Sequence, residues 1–114
     1  FRFPRMDWNM LKEHSEGLMI ASGCIVGKFA DLIVKENVPE AEKLAKQYKD
    51  VWGDDFYIEV MWTGYEPQKL VMKHGTEIAK RLGIKVIGSN DSHYSEKKQG
   101  ESQRIKIAIS KNGP

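Results

Sequence analysis

The chain has 114 residues, 40% hydrophobic, 30% charged and 10% aromatic, a globular composition that excludes collagen-like, disordered and disulfide-scaffold chains and allows one domain with a core. Eighteen Lys and Arg against sixteen Asp and Glu give a formal charge of +2, too small a bias to select nucleic acid or an anionic membrane as partner. The single cysteine, Cys24, excludes an internal disulfide. With neither a signal peptide nor an apolar run able to cross a bilayer, the reading is cytoplasmic with no membrane partner.

Asp7 caps a short helix expected over 7–15, with Trp8 and Leu11 on one side and Gly17 as its end. Leu18 to Ser22 is an apolar run without alternation, the pattern of a strand buried on both faces. From Ile25 the spacing turns helical, through Phe29, Leu32 and Ile33, until Asn37-Val38-Pro39 breaks it. A second helix starts at Pro39, carries the stripe Ala41, Leu44, Ala45, Tyr48 and Trp52, and stops at Gly53.

Phe56 to Trp62 reads as the second strand, interrupted by one carboxylate, Glu59. A helix after Gly64 carries Leu70, Val71, Ile78, Ala79 and Leu82 and closes with Lys80-Arg81 in its last turn and Gly83 just past its end. Ile84 to Ser89 is the third strand, and Ile105, Ala108 and Ile109 mark a last helix left unfinished. Strands separated by helices imply parallel pairing, in a doubly wound sheet or a segment of a β/α barrel. The missing initiator Met, the open C-terminal stretch and the small strand count together suggest a piece of a longer chain.

In parallel α/β folds the chemistry gathers at the carboxyl ends of the strands. Those ends deliver Ser22-Gly23-Cys24, then Thr63-Gly64, then Asn90-Asp91-Ser92-His93-Tyr94. Asp91 and His93 offer an oxygen and a nitrogen two residues apart, and Cys24 would add a thiolate. Such a mixed set suits Zn²⁺, with Mn²⁺ or Fe²⁺ as further oxygen and imidazole ligands join. Three protein ligands leave a position for water, the arrangement that phosphoester hydrolysis needs. The same residues also read as a small buried cysteine, an ordinary Asn-Asp-Ser turn and a surface histidine. Cys24 as a phosphatase nucleophile would want an arginine six residues on, where Ala30 stands. His14 and His74 read as structural, and Trp8, Trp52 and Trp62 as core or interface residues, with only Trp62 near the strand ends. The basic C-terminal segment, from Lys97-Lys98 to Lys111, reads as a solvated face able to steer a phosphate backbone.

Taken together, Pro4-Arg5-Met6-Asp7-Trp8, Leu11, Glu13 to Leu18, Ser22-Gly23-Cys24, Phe56-Tyr57-Ile58-Glu59 and Asn90-Asp91-Ser92-His93-Tyr94 resemble the PHP (polymerase and histidinol phosphatase) domain of bacterial and phage replicative DNA polymerase III alpha subunits. The resemblance implies an α/β fold, here a fragment of a distorted (β/α)7 PHP-type barrel with about three parallel strands. It implies a polynuclear site in which Cys24, Asp91 and His93 are metal ligands for Zn²⁺ or Mn²⁺, completed by histidines and a glutamate upstream of Phe1. It implies part of a metal-dependent phosphoesterase of 3′–5′ exonuclease type, inactive as a fragment, reaching DNA through the full-length polymerase and touching other replisome subunits. The alternatives are a noncatalytic scaffold and a small-molecule phosphatase of the histidinol phosphate type. The sequence departs from the family where Met61-Trp62-Thr63-Gly64 replaces a Gln-x-His-Gly stretch and where Gln103-Arg104 replaces a later His-Asp pair.

Overall fold

A three-stranded parallel sheet, in the order β1-β2-β3, forms the frame. The computed structural model describes residues 4–112. Its elements are α1 (Trp8–Glu13), β1 (Ile20–Ala21), α2 (Lys28–Val34), α3 (Val38–Trp52), β2 (Phe56–Met61), α4 (Pro67–Leu82), β3 (Lys85–Ser89) and α5 (Gly100–Asn112), with short 3-10 turns at Gly53–Asp55 and Lys97–Gln99. Ile20 and Ala21 register with Phe56 and Tyr57, and Tyr57 to Met61 register with Lys85 to Ser89. Each parallel pair is therefore bridged by a helical crossover, as the alternating pattern predicts.

The core lies on one side of β2. Phe56 and Ile58 are buried there with Phe29, Ala30 and Ile33 of α2, Ala41, Ala45 and Trp52 of α3, and Val71, Ile78 and Ala79 of α4. Alternation along β2 turns Phe56 and Ile58 toward the helices and Tyr57 and Glu59 away from them. Helix α4 approaches β2 over Gly75, where an added Cβ would stand 3.4 Å from Ile58 Cγ2 and 3.6 Å from Phe29 Cε1. Those distances are ordinary van der Waals contact, so the close packing does not by itself require the glycine, which costs about 1 kcal/mol in a helix relative to Ala.

Helix α1 buries none of its six residues. It is held by Trp8, whose ring meets Tyr48 and Trp52 edge-on at 5.1 and 5.9 Å, and Tyr48 in turn stacks on Phe56 at 5.3 Å. Asp7 caps it, accepting the Met10 N–H at 2.9 Å, and His14 Nδ1 donates to the Met10 carbonyl at 3.0 Å. Helices α3 and α4 are joined by a two-pronged pair in which Arg81 donates to both Glu42 oxygens at 3.0 and 2.8 Å. Those hydrogen bonds hold the Glu42 carboxyl below the usual carboxylate range. At the amino end of the sheet, Lys49 donates to Asp54 at 3.0 Å and to the Gly83 carbonyl at 3.2 Å. The Lys49 bond, helped by the charges of Lys49 and Lys85, lowers the Asp54 pKa as well.

Three expectations need correction. The first strand is only Ile20–Ala21, with Ala21 exposed, rather than a run from Leu18 to Ser22 buried on both faces. Leu18 and Met19 stay exposed because no strand among the described residues pairs with them. Leu70, expected on the buried row of α4, is exposed, and Gln68 and Gly75 take inward positions instead. Helix α2 starts at Lys28 rather than near Ile25, because Gly23 to Gly27 is spent on a loop.

Candidate metal centre

The three strand ends reach one edge of the sheet by different local devices. At the end of β1 the Ser22 N–H still donates to the Tyr57 carbonyl at 2.9 Å, as a ladder residue should. The next donor, the Glu59 N–H, is taken by Ser22 Oγ at 2.9 Å, so a side chain ends the ladder while the main chain turns away. Gly23, at φ 80°, makes that turn and Cys24 follows. The loop then folds over Gly27, whose N–H donates to the Cys24 carbonyl at 2.9 Å. A Cβ at Gly27 would lie 2.9 Å from the Ser22 carbonyl oxygen and 3.0 Å from that of Cys24, so this position requires glycine. Cys24 sits half-buried against a recess of about 10 Å³ shared with Glu59, Met61, Gln68 and Val71. That volume holds a single water at most.

Beyond β3, Asp91 adopts φ 50°. Asp is among the few residues that accept this left-handed region readily. The kink brings Asp91 Oδ1 to 3.6 Å from His93 Nε2. The pair lines an open recess with Thr63, Asn90, Ser92 and Tyr94. Two donors bound tetrahedrally at the usual zinc distances stand about 3.4 Å apart. The Asp91–His93 spacing and its oxygen-nitrogen chemistry therefore fit two positions around one divalent ion. Sequence spacing put these two residues together, and the fold does the same.

Cys24 opens onto the other recess. Among the described residues no group of three or more His, Cys, Asp or Glu side chains stands close enough to hold a metal ion. His14 belongs to the end of α1, and His74 Nδ1 lies 3.3 Å from Glu77 on α4. Trp62 is half-exposed beside the recess, with Lys69 Nζ 5.0 Å over its ring.

Ser22 and Glu59 stand in the quoted motifs, but the hydrogen bonds by which they and Ser89 organise this edge are not legible there. Ser22 and Ser89 precede the cysteine and the aspartate by two positions each, and both contact Glu59. Buried Gln68 accepts from the Thr63 N–H at 2.8 Å and from its hydroxyl at 3.1 Å, which fixes the chain just beyond β2. A carboxylate inside an otherwise apolar central strand was the available signal for Glu59.

The chain carries a parallel sheet with helical crossovers, and the PHP domain family matches its residues 1–63. The chain belongs to the PHP domain family. It is similar to DNA polymerase III subunit alpha of Treponema pallidum, 36% identical over 107 residues and 93% of this chain. The corresponding subunit of Saccharopolyspora erythraea is 36% identical over 110 residues, 96% of this chain, and that of Thermus aquaticus 31% over 106 residues, 93% of this chain. The chain spans 9% of the length of each of these relatives. No described helix is long and apolar enough to cross a membrane.

Proposed function

We propose that the chain is the PHP segment of a DNA polymerase III alpha subunit and that its strand ends supply ligands to a divalent-metal phosphoesterase site of 3′–5′ exonuclease type. The observation that carries this reading is the Asp91–His93 pair, 3.6 Å apart beyond a parallel strand, in a chain whose relatives are DNA polymerase III alpha subunits. Zn²⁺ or Mn²⁺ suits the donors. Bound there, the ion supplies charge stabilisation for phosphate and eases deprotonation of water. Asp91 would provide a carboxylate oxygen and His93 an imidazole nitrogen to such an ion. Cys24 would add a thiolate from the end of β1, on the far side of β2, once the rest of the domain completes the site. DNA reaches the site through the full-length subunit, and other replisome subunits are its protein partners.

A scaffold without catalysis is the second reading, and one observation favours it: Thr63, where the family pattern shows His, lines the Asp91–His93 recess. Release of 3′ nucleotides from single-stranded DNA by the full-length subunit with Mn²⁺ or Zn²⁺ decides between them. The proposed site predicts activity that disappears in Asp91→Asn and His93→Ala while polymerisation continues. Absence of activity in the wild-type subunit with metal bound would favour the scaffold, and equal activity in wild type and both variants would overturn the ligand assignment.

A further inference from the structure

We infer that Glu59 is the positioning residue of the candidate metal centre, holding the two ligand-bearing loops at a fixed spacing through the serines that begin them. Its main-chain N–H donates to Ser22 Oγ at 2.9 Å. Its carboxylate oxygen Oε1 accepts a hydrogen bond from Ser89 Oγ. Ser22 stands two residues before Cys24, and Ser89 two residues before Asp91 and four before His93. One residue on the central strand thus binds both neighbouring strands at the points where they leave the ladder.

Three features make this a specific arrangement. Strands inside a parallel sheet are normally apolar, and β2 is apolar or aromatic except at Glu59. The carboxylate is half-buried, and its side-chain partner is a hydroxyl, while none of the ion pairs among the described residues includes it. Glu59 also lines the Cys24 recess, so a change in its position reaches that loop as well as the β3 end. Hydrogen-bonded outer residues of this kind orient ligands and set affinity without touching the ion.

The inference rests on the metal-site reading, and Co²⁺ titration of the apo full-length subunit separates the two. The readouts are the visible absorption of bound Co²⁺, the near-ultraviolet thiolate band and the affinity. Glu59→Ala and Ser89→Ala are expected to weaken Co²⁺ binding by about 10-fold to 100-fold and to alter the bands, with an unchanged thermal midpoint. Glu59→Gln, whose amide oxygen still accepts the Ser89 hydroxyl, is expected to bind like wild type. Wild-type affinity and spectrum in Ser89→Ala and Glu59→Ala, alongside loss of binding in Asp91→Asn, would overturn the positioning role and leave the site intact. Loss in Glu59→Gln as large as in Glu59→Ala would overturn it too, by making Glu59 a charged ligand. Wild-type binding in Asp91→Asn and His93→Ala would overturn the site and this role together. If Glu59→Ala fails to fold, the hydroxyl deletion at Ser89 gives the same decision.

Discussion

Gly27 and Asp91 show how single backbone positions shape this edge. Gly27 carries no side chain because two carbonyl oxygens of the Cys24 loop occupy the space of a Cβ. Gly27→Ala should force that loop outward and cost about 1–3 kcal/mol, the usual range for overpacking, measurable by urea denaturation. Gly83, at φ 63° and ψ 38°, ends α4 in the left-handed region. Gly83→Ala there should cost about 1 kcal/mol without changing the strand ends. The sequence makes Gly83 legible, since a glycine directly after a basic last turn is a stop signal. Gly27 is not legible that way, because its constraint comes from carbonyls three and five residues earlier that only a folded loop brings back. Asp91→Asn is the cleaner probe of the carboxylate, because Asn tolerates the same backbone conformation.

Elements with a periodic pattern and a cap were readable from spacing alone. Helix α3 buries Ala41, Ala45 and Trp52 on the expected stripe, and α4 ends at the expected glycine. Strand β1 was overread because an apolar run says nothing about whether a partner strand extends alongside it. Ile58 on β2 is fully buried and Ile105 on α5 is 56% exposed, although both are isoleucines in periodic segments. Ile58→Ala should therefore cost about 2–5 kcal/mol, whereas Ile105→Glu should change the stability of the isolated chain by no more than about 0.5 kcal/mol. Between α3 and α4, the Glu42 carboxyl lies below its ordinary pKa because Arg81 donates to both oxygens. A depressed carboxylate adds stability above its unfolded-state pKa and loses it as pH falls through the folded value. Thermal midpoints measured from neutral pH down through the acid limb should thus fall more steeply for wild type than for Glu42→Gln.

At the scale of the whole molecule, the Cα radius of gyration is 16.2 Å, against about 13 Å for a compact chain of this length. The excess follows from α5, which packs mainly on the 3-10 turn before it. Three parallel strands with helical crossovers accord with a segment of a β/α barrel, and the strand ends carry the polar residues where such folds do their chemistry. The donor pair was legible as a spacing, Asp-x-His after a strand. The clamp beneath it was not, because it joins Ser22, Glu59 and Ser89 across 30 and 37 residues of sequence. Zn²⁺ affinity and stoichiometry in the full-length subunit test whether Asp91, His93 and Cys24 hold a divalent ion. Asp91→Asn, His93→Ala and Cys24→Ser should each lose affinity while His14→Ala and His74→Ala keep it. Equal affinity and stoichiometry across all five variants would contradict the ligand assignment.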